Sequence, residues 1–301
     1  MITTLTLNPA FDVHVNIGEF HIGRENLSDT VTRDVGGKGI NISRALLQNH
    51  IKSKAIVAVG RENSDDFKHG LSCVGLECEF IECDGRIREN ITVHDGRGTE
   101  TRLSFKGFSC DDSLLVRIEA LINTEGIVTF TGSVPDGISA DAVQYFLIKL
   151  KDLGAKLVID SKSVSIDMLR QIKPWLIKPN AEECEAYFGK MTEWELYNTA
   201  LRLHTDGIEN VMISMGADGA ILASGGKLYL ARVPKITPVS TIGAGDSSIA
   251  GFIACKGNDA ERLRLAAAYG SAACLQQGTN PPLKEDIEKI YKEISVKEIN
   301  L

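Results

Sequence analysis

Short apolar runs alternate with amphipathic stretches along most of this chain. Runs rich in Ile, Leu and Val predict strands over Ile2–Leu7, Lys54–Val59, Gly126–Thr131, Lys156–Asp160, Trp175–Lys178 and Asn210–Met215, with a hairpin made by Gly219–Ala223 and Lys227–Ala231. Apolar positions recurring every three to four residues predict helices between them, among them Gly39–Gln48, Ala140–Leu153, Glu193–Thr205, Gly245–Ala254 and Glu261–Gln276. Apolar strands separated by helices belong in a sheet that is covered on both faces. The pattern therefore predicts an α/β fold, a doubly wound and mainly parallel sheet with helices on both faces.

Two segments, 12–35 and 85–108, break this rhythm. They carry period-two alternation, as in V13-x-V15-x-I17, N90-I91-T92-V93 and T101-R102-L103-S104-F105, with few helix signals. Both leave the main sheet and return to it, so they predict a small antiparallel β-sheet lid over the carboxyl ends of the parallel strands, where open α/β sheets bind ligands. No Pro/Ser-rich linker or repeat divides the chain, which reads as one domain over 1–301 with a discontinuous lid.

Composition narrows the function classes. The chain has 301 residues, 33 basic against 40 acidic, for a formal charge of −7. That balance disfavours nucleic acid as a partner, since phosphate-backbone binding needs a concentrated basic surface. No apolar run reaches the roughly 20 residues that span a bilayer. MITTLTLNPA lacks the basic and apolar regions of a signal peptide and reads as a first strand, so neither membrane nor export is expected, and the location expected is cytoplasmic. Seven cysteines in such a chain predict free thiols. Cys73, Cys78 and Cys83 lack the tight pair and fourth ligand of a zinc site.

Four turns, three of them glycine-containing, carry the candidate chemistry. In S240-T241-I242-G243-A244-G245-D246 the glycines precede a helix, where free N–H groups and the dipole favour an anion. An aspartate there would repel phosphate unless it serves as a proton acceptor or merely caps the helix, and both readings stay open. G36-G37-K38-G39-I40-N41 also opens a helix and offers amides, one cation and one carboxamide. In K178-P179-N180-A181-E182-E183, Asn180 and Glu183 share one helical turn, which suits either the water shell of Mg²⁺ or a capping box. S214-M215-G216-A217-D218-G219 is a turn that either lies along a nucleotide or only connects two strands. Neither G-x-x-x-x-G-K-[ST] nor G-x-G-x-x-G occurs, which argues against a P-loop and a dinucleotide-dependent dehydrogenase.

The ordered set GGKGIN (36–41), TGS (131–133), KPN-x-x-E (178–183), S-x-G-x-x-G (214–219) and GAGD (243–246) resembles the ribokinase-like, PfkB-type carbohydrate kinases over nearly the whole chain. TLNPAFD (6–12) and RENITVHDG (88–96) resemble the branch acting on phosphorylated ketohexoses. The segments Ser104–Phe108 and His21–Asn26 depart from the family pattern and bear on sugar choice and lid packing.

The resemblance implies a ribokinase-like fold and ATP-dependent phosphoryl transfer, with fructose 1-phosphate as the first acceptor and tagatose 6-phosphate as the alternative. A catalytically inactive sugar-phosphate-binding regulator is the rival from another class. It implies Asp246 as catalytic base, with the amides of Gly243, Ala244 and Gly245 holding the transferred phosphoryl group. It implies Asp12, Gly37, Lys38, Asn41 and Arg88 on the sugar phosphate, with Arg24 as a looser candidate in the lid. Lys178, Asn180, Glu183, Ser214, Gly216, Gly219 and Thr241 fall on the ATP side, Glu183 reaching Mg²⁺ through water. A monovalent cation and a homodimer through the lid are also implied.

Overall fold

In the computed structural model, which describes residues 1–300, the chain runs β1 (Ile2–Thr6), β2 (Ala10–Ile17), β3 (Thr30–Gly36), α1 (Lys38–Gln48), β4 (Lys54–Gly60), α2 (Ser64–Cys73), β5 (Cys78–Cys83), β6 (Arg88–Asp95), β7 (Glu100–Ser104), α3 (Ser113–Glu119), β8 (Ile127–Thr131), α4 (Ala140–Asp152) and β9 (Lys156–Asp160). It continues α5 (Ile166–Ile172), β10 (Leu176–Ile177), α6 (Ala181–Phe188), α7 (Glu193–Thr205), β11 (Asn210–Ser214), β12 (Ala220–Ser224), β13 (Lys227–Arg232), α8 (Ala244–Ala254), α9 (Asp259–Ala273), α10 (Lys284–Glu293) and β14 (Ser295–Ile299). Ten strands form one sheet in the order β14-β13-β12-β11-β10-β9-β8-β1-β4-β5. It is parallel from β5 to β11 and antiparallel from β11 to β14.

Alternate side chains of the central strands enter different cores. Leu157 and Ile159 of β9 join the cluster that packs under α2–α7, while Val158 between them joins the cluster under α1, α8, α9 and α10. This two-sided burial is why these strands read as continuous apolar runs. Polar side chains also gather at their carboxyl ends, where Thr6, Thr131, Asp160 and Lys178 are buried. Strand β10 is only two residues long, shorter than the predicted Trp175–Lys178, because Pro174 and Pro179 bracket it and cannot donate to the ladder. Strands β5 and β14 were not apparent from the pattern. Both are edge strands, β5 carrying two glutamates and β14 a lysine and a glutamate, charges that suit an exposed edge.

The lid is a separate four-stranded sheet, β3-β2-β6-β7. It corrects the antiparallel expectation, since β2 and β6 pair in parallel at its centre. Each lid excursion leaves the end of a parallel body strand, β1 or β5, so both first strands run outward in the same direction. Asp12, Asn90 and Arg102 share one face of this sheet and Val13, Ile91 and Leu103 the other. One face is therefore polar and the other apolar.

Candidate active site

Helix α8 begins at the GAGD turn. Gly243 is its N-cap, held at φ +79° in the left-handed region that glycine enters freely. Ala244, Gly245 and Asp246 form the first turn, whose N–H groups have no partners within the helix. Gly245 is helical, and a Cβ there would come 3.1 Å from Lys178 Nζ. The Asp246 side chain makes no capping bond, so the capping alternative fails. Its Oδ2 instead accepts from Asn41 Nδ2 at 2.9 Å, joining α8 to α1.

Asp246 is 6% exposed, and four groups surround it. Lys38 Nζ donates to Asp160 Oδ2 at 2.9 Å, and Lys178 Nζ lies 3.9 Å from the same oxygen. Burial pushes the Asp246 carboxyl up to about 6, with Asp160 adding to the rise and Lys38, Asn41 and Lys178 opposing it. Burial works against the Lys38 ammonium, but Asp160, Asp246 and Glu183 outweigh it and leave Lys38 above the ordinary lysine value. A carboxylate poised near neutrality beside two cations and free helix amides can take a proton from a hydroxyl while the cations meet phosphate.

On the lid side, Asp12 Oδ1 accepts from Asn90 Nδ2 at 2.9 Å and lies 3.7 Å from Arg102 Nη2. A Cβ on Gly36 would fall 2.3 Å from Asp12 Oδ2, so the first glycine of GGKGIN leaves room for that carboxylate. Arg88 Nη2 reaches Asn8 O at 3.4 Å, while its buried Nε has no partner. Burial lowers the Arg88 guanidinium from its usual value, with Asp12 opposing and Arg102 adding to the fall. A half-buried, half-satisfied arginine beside a second arginine matches an anionic ligand with several oxygens. Asn8 Nδ2 donates to Ser133 Oγ of the TGS turn at 3.1 Å, leaving Asn8 Oδ1 buried and unpaired.

The other predicted residues fall in two groups. Asn180 and Glu183 form a reciprocal capping box on α6, with bonds of 2.7 and 3.1 Å, so the capping alternative for that pair is realised. Glu183 Oε1 has no bond in this arrangement and is the carboxylate oxygen left for a hydrated ion. No group of three or more His, Cys, Asp or Glu is placed to hold a metal among the described residues. Ser214 N donates to Pro179 O at 3.1 Å, which ties the S-x-G-x-x-G turn to the KPN turn. Gly216 faces open space, whereas a Cβ on Gly219 would strike Ala231 O at 2.0 Å. Gly37 is the N-cap of α1. Thr241 is exposed, and the Arg24 side chain makes no hydrogen bond or ion pair among the described residues.

Asp160, Asn90, Arg102 and Asn8 were not singled out by the motifs. Asp160 carried a readable signal, a carboxylate ending a predicted parallel strand. Asn90 and Arg102 become visible only when the lid strands are paired, and Asn8 only when the turn after β8 is brought against it.

Comparison with known proteins matches the family model described as pfkB family carbohydrate kinase to residues 15–286. The chain belongs to this family. The kinase is 33% identical over 303 residues to the 1-phosphofructokinase of Bacillus subtilis, covering 98% of this chain and 99% of the relative. Its fold matches Escherichia coli phosphofructokinase-2 crystallised with potassium, at TM-score 0.89 and 24% identity over 97% of this chain and 98% of that one. It also matches the ribokinase of Thermotoga maritima, at TM-score 0.78 and 17% identity over 97% of this chain and 99% of that one. At these identities the two structures speak for the fold alone. The kinase is thus a ribokinase-like α/β enzyme, and among its described residues no helix is long and apolar enough to cross a membrane.

Proposed function

We propose that this kinase transfers the γ-phosphoryl group of ATP to fructose 1-phosphate, giving fructose 1,6-bisphosphate, with Asp246 as the base. The observation that carries the reading is the buried Asp246 carboxylate, raised to about 6, on the first turn of α8 beside Lys38 and Lys178. The named activity of the Bacillus subtilis relative supports the choice of sugar. The paired arginines of the lid support an acceptor that already bears phosphate.

Asp12, with Asn90 and Arg102 fixing its carboxylate, accepts from sugar hydroxyls. Arg88 and Arg102 hold the sugar phosphate through planar forks that bind oxygens in pairs. Asp246 removes the proton from the acceptor hydroxyl as that oxygen attacks phosphorus, a contribution of about 10²–10⁴-fold. The amides of Gly243, Ala244 and Gly245, with Lys38 and Lys178, stabilise charge on the transferred group. Glu183 Oε1 would hold Mg²⁺ through water, since that ion commonly keeps several waters, and the ion when bound would supply positive charge to the ATP phosphates. Ser214, Gly216 and Gly219 line the nucleotide, beside the KPN turn of Lys178 and Asn180. The monovalent cation that the family resemblance implies belongs to this reading, in keeping with the potassium held by the Escherichia coli neighbour.

The assembly we propose is a homodimer through the lid. The lid's apolar face leaves Val31 56% and Leu103 50% exposed, and a second copy would cover both. Leu103→Asp should halve the mass seen by light scattering, and an unchanged mass refutes the interface. ATP as co-substrate and free thiols suit a cytoplasmic enzyme.

Coupled ADP release across fructose 1-phosphate, fructose 6-phosphate, tagatose 6-phosphate and fructose tests the reaction. Fructose 1-phosphate should give the highest kcat/KM and fructose the lowest, and a maximum at tagatose 6-phosphate would reassign the sugar. Fructose turning over as well as its phosphate would remove the role of the lid arginines. An Asp246→Ala enzyme with undiminished kcat would remove the base.

A further inference from the structure

Outside the cleft, a groove of about 680 Å³ runs between α1, the end of α2 and the segment entering α10. Its volume lies in the range of small-molecule sites. Arg44 and His50, on α1 and just past its end, and Lys284, at the start of α10, bring basic side chains to it, and Leu47, Val74 and Leu283 form an apolar wall. Nothing in the proposed reaction uses any of these residues.

We propose that this groove is a second binding site for a phosphate monoester with an apolar body, distinct from the catalytic cleft. The phosphate would sit on Arg44 and Lys284, and the body against Leu47, Val74 and Leu283. Arg44 is half-buried, and among the described residues its side chain makes one hydrogen bond, to Asn280 Oδ1 at 3.2 Å. Burial lowers its guanidinium from the usual value, with Asp34 opposing, so an added anion would relieve it. Among the described residues Lys284 pairs only with Glu288, at 3.9 Å, an exposed pair that holds it weakly. The first turn of α10 has no side-chain cap, so its N–H groups add to the attraction for an anion. Glu285 also lines the groove and opposes binding, which places the phosphate on the Arg44 side. A monoester brings nearly two charges and three acceptor oxygens, enough for a guanidinium fork and an ammonium together. The size of the groove and the net charge of −7 favour a small ligand over a polyanion.

The groove is connected to the catalytic site through both of its walls. Arg44 lies three residues beyond Asn41 on α1, and Asn41 holds Asp246. Asn280 follows Thr279, whose Cα would sit 3.6 Å from a Cβ on Gly243. A phosphate clamping Arg44 to Lys284 would therefore couple α1 to the segment behind the GAGD turn.

Amide-resolved NMR titration of the full chain with inorganic phosphate, AMP and phenyl phosphate tests this. AMP and phenyl phosphate distinguish a nucleotide from a simple aryl ester as the source of the monoester. At least one of them should saturably shift the amides of Gln48, His50 and Lys284, and bind more tightly than phosphate because it also covers the wall. Lys284→Ala, at an exposed position that does not endanger folding, and Arg44→Lys should each weaken that binding several-fold. Glu285→Gln should strengthen it, and Asp246→Asn should leave it intact. Saturating the groove with both substrates saturating should change kcat in the wild type and not in Lys284→Ala. Groove amides unmoved by either monoester at millimolar concentration, or shifts that survive Lys284→Ala and Arg44→Lys alike, overturn the site. Unchanged turnover on filling overturns the coupling.

Discussion

Replacing Asn41 with leucine offers a direct reading of how Asp246 is tuned. Leucine keeps the volume of the side chain, admits no water and removes the 2.9 Å hydrogen bond to Asp246 Oδ2. That bond favours the ionised carboxylate, so its loss must raise the pKa. A hydrogen bond to a charged group is worth about 1.5–3 kcal/mol, and one pKa unit corresponds to about 1.36 kcal/mol. Asp246 would therefore climb from about 6 to roughly 7–8. At pH 7 its ionised fraction would fall from about nine-tenths to between about one-tenth and one-half, a two- to ninefold loss of kcat/KM. The assay is the pH profile of kcat/KM from pH 5 to 9, which reports groups of the free enzyme and free substrate. The sugar phosphate itself titrates near pH 6, but identically for both enzymes, so the displacement between profiles isolates the protein group. Raising the pH to 9 should restore the variant. A deficit that persists there measures contact between Asn41 and the sugar, and acid limbs that coincide refute the tuning of Asp246 by Asn41.

Three further outcomes follow from the same geometry. In Asp246→Asn a stability gain should accompany the loss of activity: the folded pKa of about 6 exceeds the ordinary 3.8, so the native state binds more protons than the unfolded one between these values, and the cost of the carboxylate grows as pH rises through that window to about 3 kcal/mol above it. Urea unfolding should show the variant more stable at pH 8 and level with wild type near pH 4; equal stability at both pH values contradicts the burial argument. Asp160→Ala removes the carboxylate shared by both lysines and leaves Lys178, 5% exposed, without its nearest counter-ion, at about 3 kcal/mol by urea unfolding; a loss under 1 kcal/mol would mean that Asp246 or water already serves that lysine. Gly36→Ala puts a methyl 2.3 Å from Asp12 Oδ2, so the carboxylate must move and KM for the sugar phosphate should rise about tenfold with kcat changed less, whereas an unaltered KM takes Asp12 out of sugar binding.

Legibility differed sharply between body and lid. The body strands were readable because burial on both faces makes them unbroken apolar runs, and β9 begins and ends at the predicted residues. The edges were harder, since β5 and β14 are half-exposed and carry charge. Within the site, local motifs located the two helix starts, because glycine turns leave a mark in sequence. They could not say that Lys38 bonds to Asp160, 122 residues away, or that Asn41 meets Asp246 across 205 residues. The lid's parallel centre was likewise invisible, because alternation reveals a strand but not the direction of its partner.

The arrangement around Asp246 resolves a conflict that the motif alone could not. A base near phosphate must be ionised to work, yet a fully solvated aspartate would be too weak a base to take a proton from an alcohol and would repel the nucleotide. Burial supplies basicity at the cost of charge, and the two lysines oppose that gain. Asp160 lies between these extremes. By accepting from Lys38 and standing 3.9 Å from Lys178, it takes up part of the positive field that would otherwise fall on Asp246. The cations remain in place for the transferred phosphoryl group, while Asp246 keeps a pKa of about 6, ionised at neutral pH and still able to accept a proton. On this view Asp160 is a positioning residue, and exchanging it for asparagine should lower the acid limb of kcat/KM as well as loosen Lys38, a pairing that loss of a structural ion pair alone would not produce.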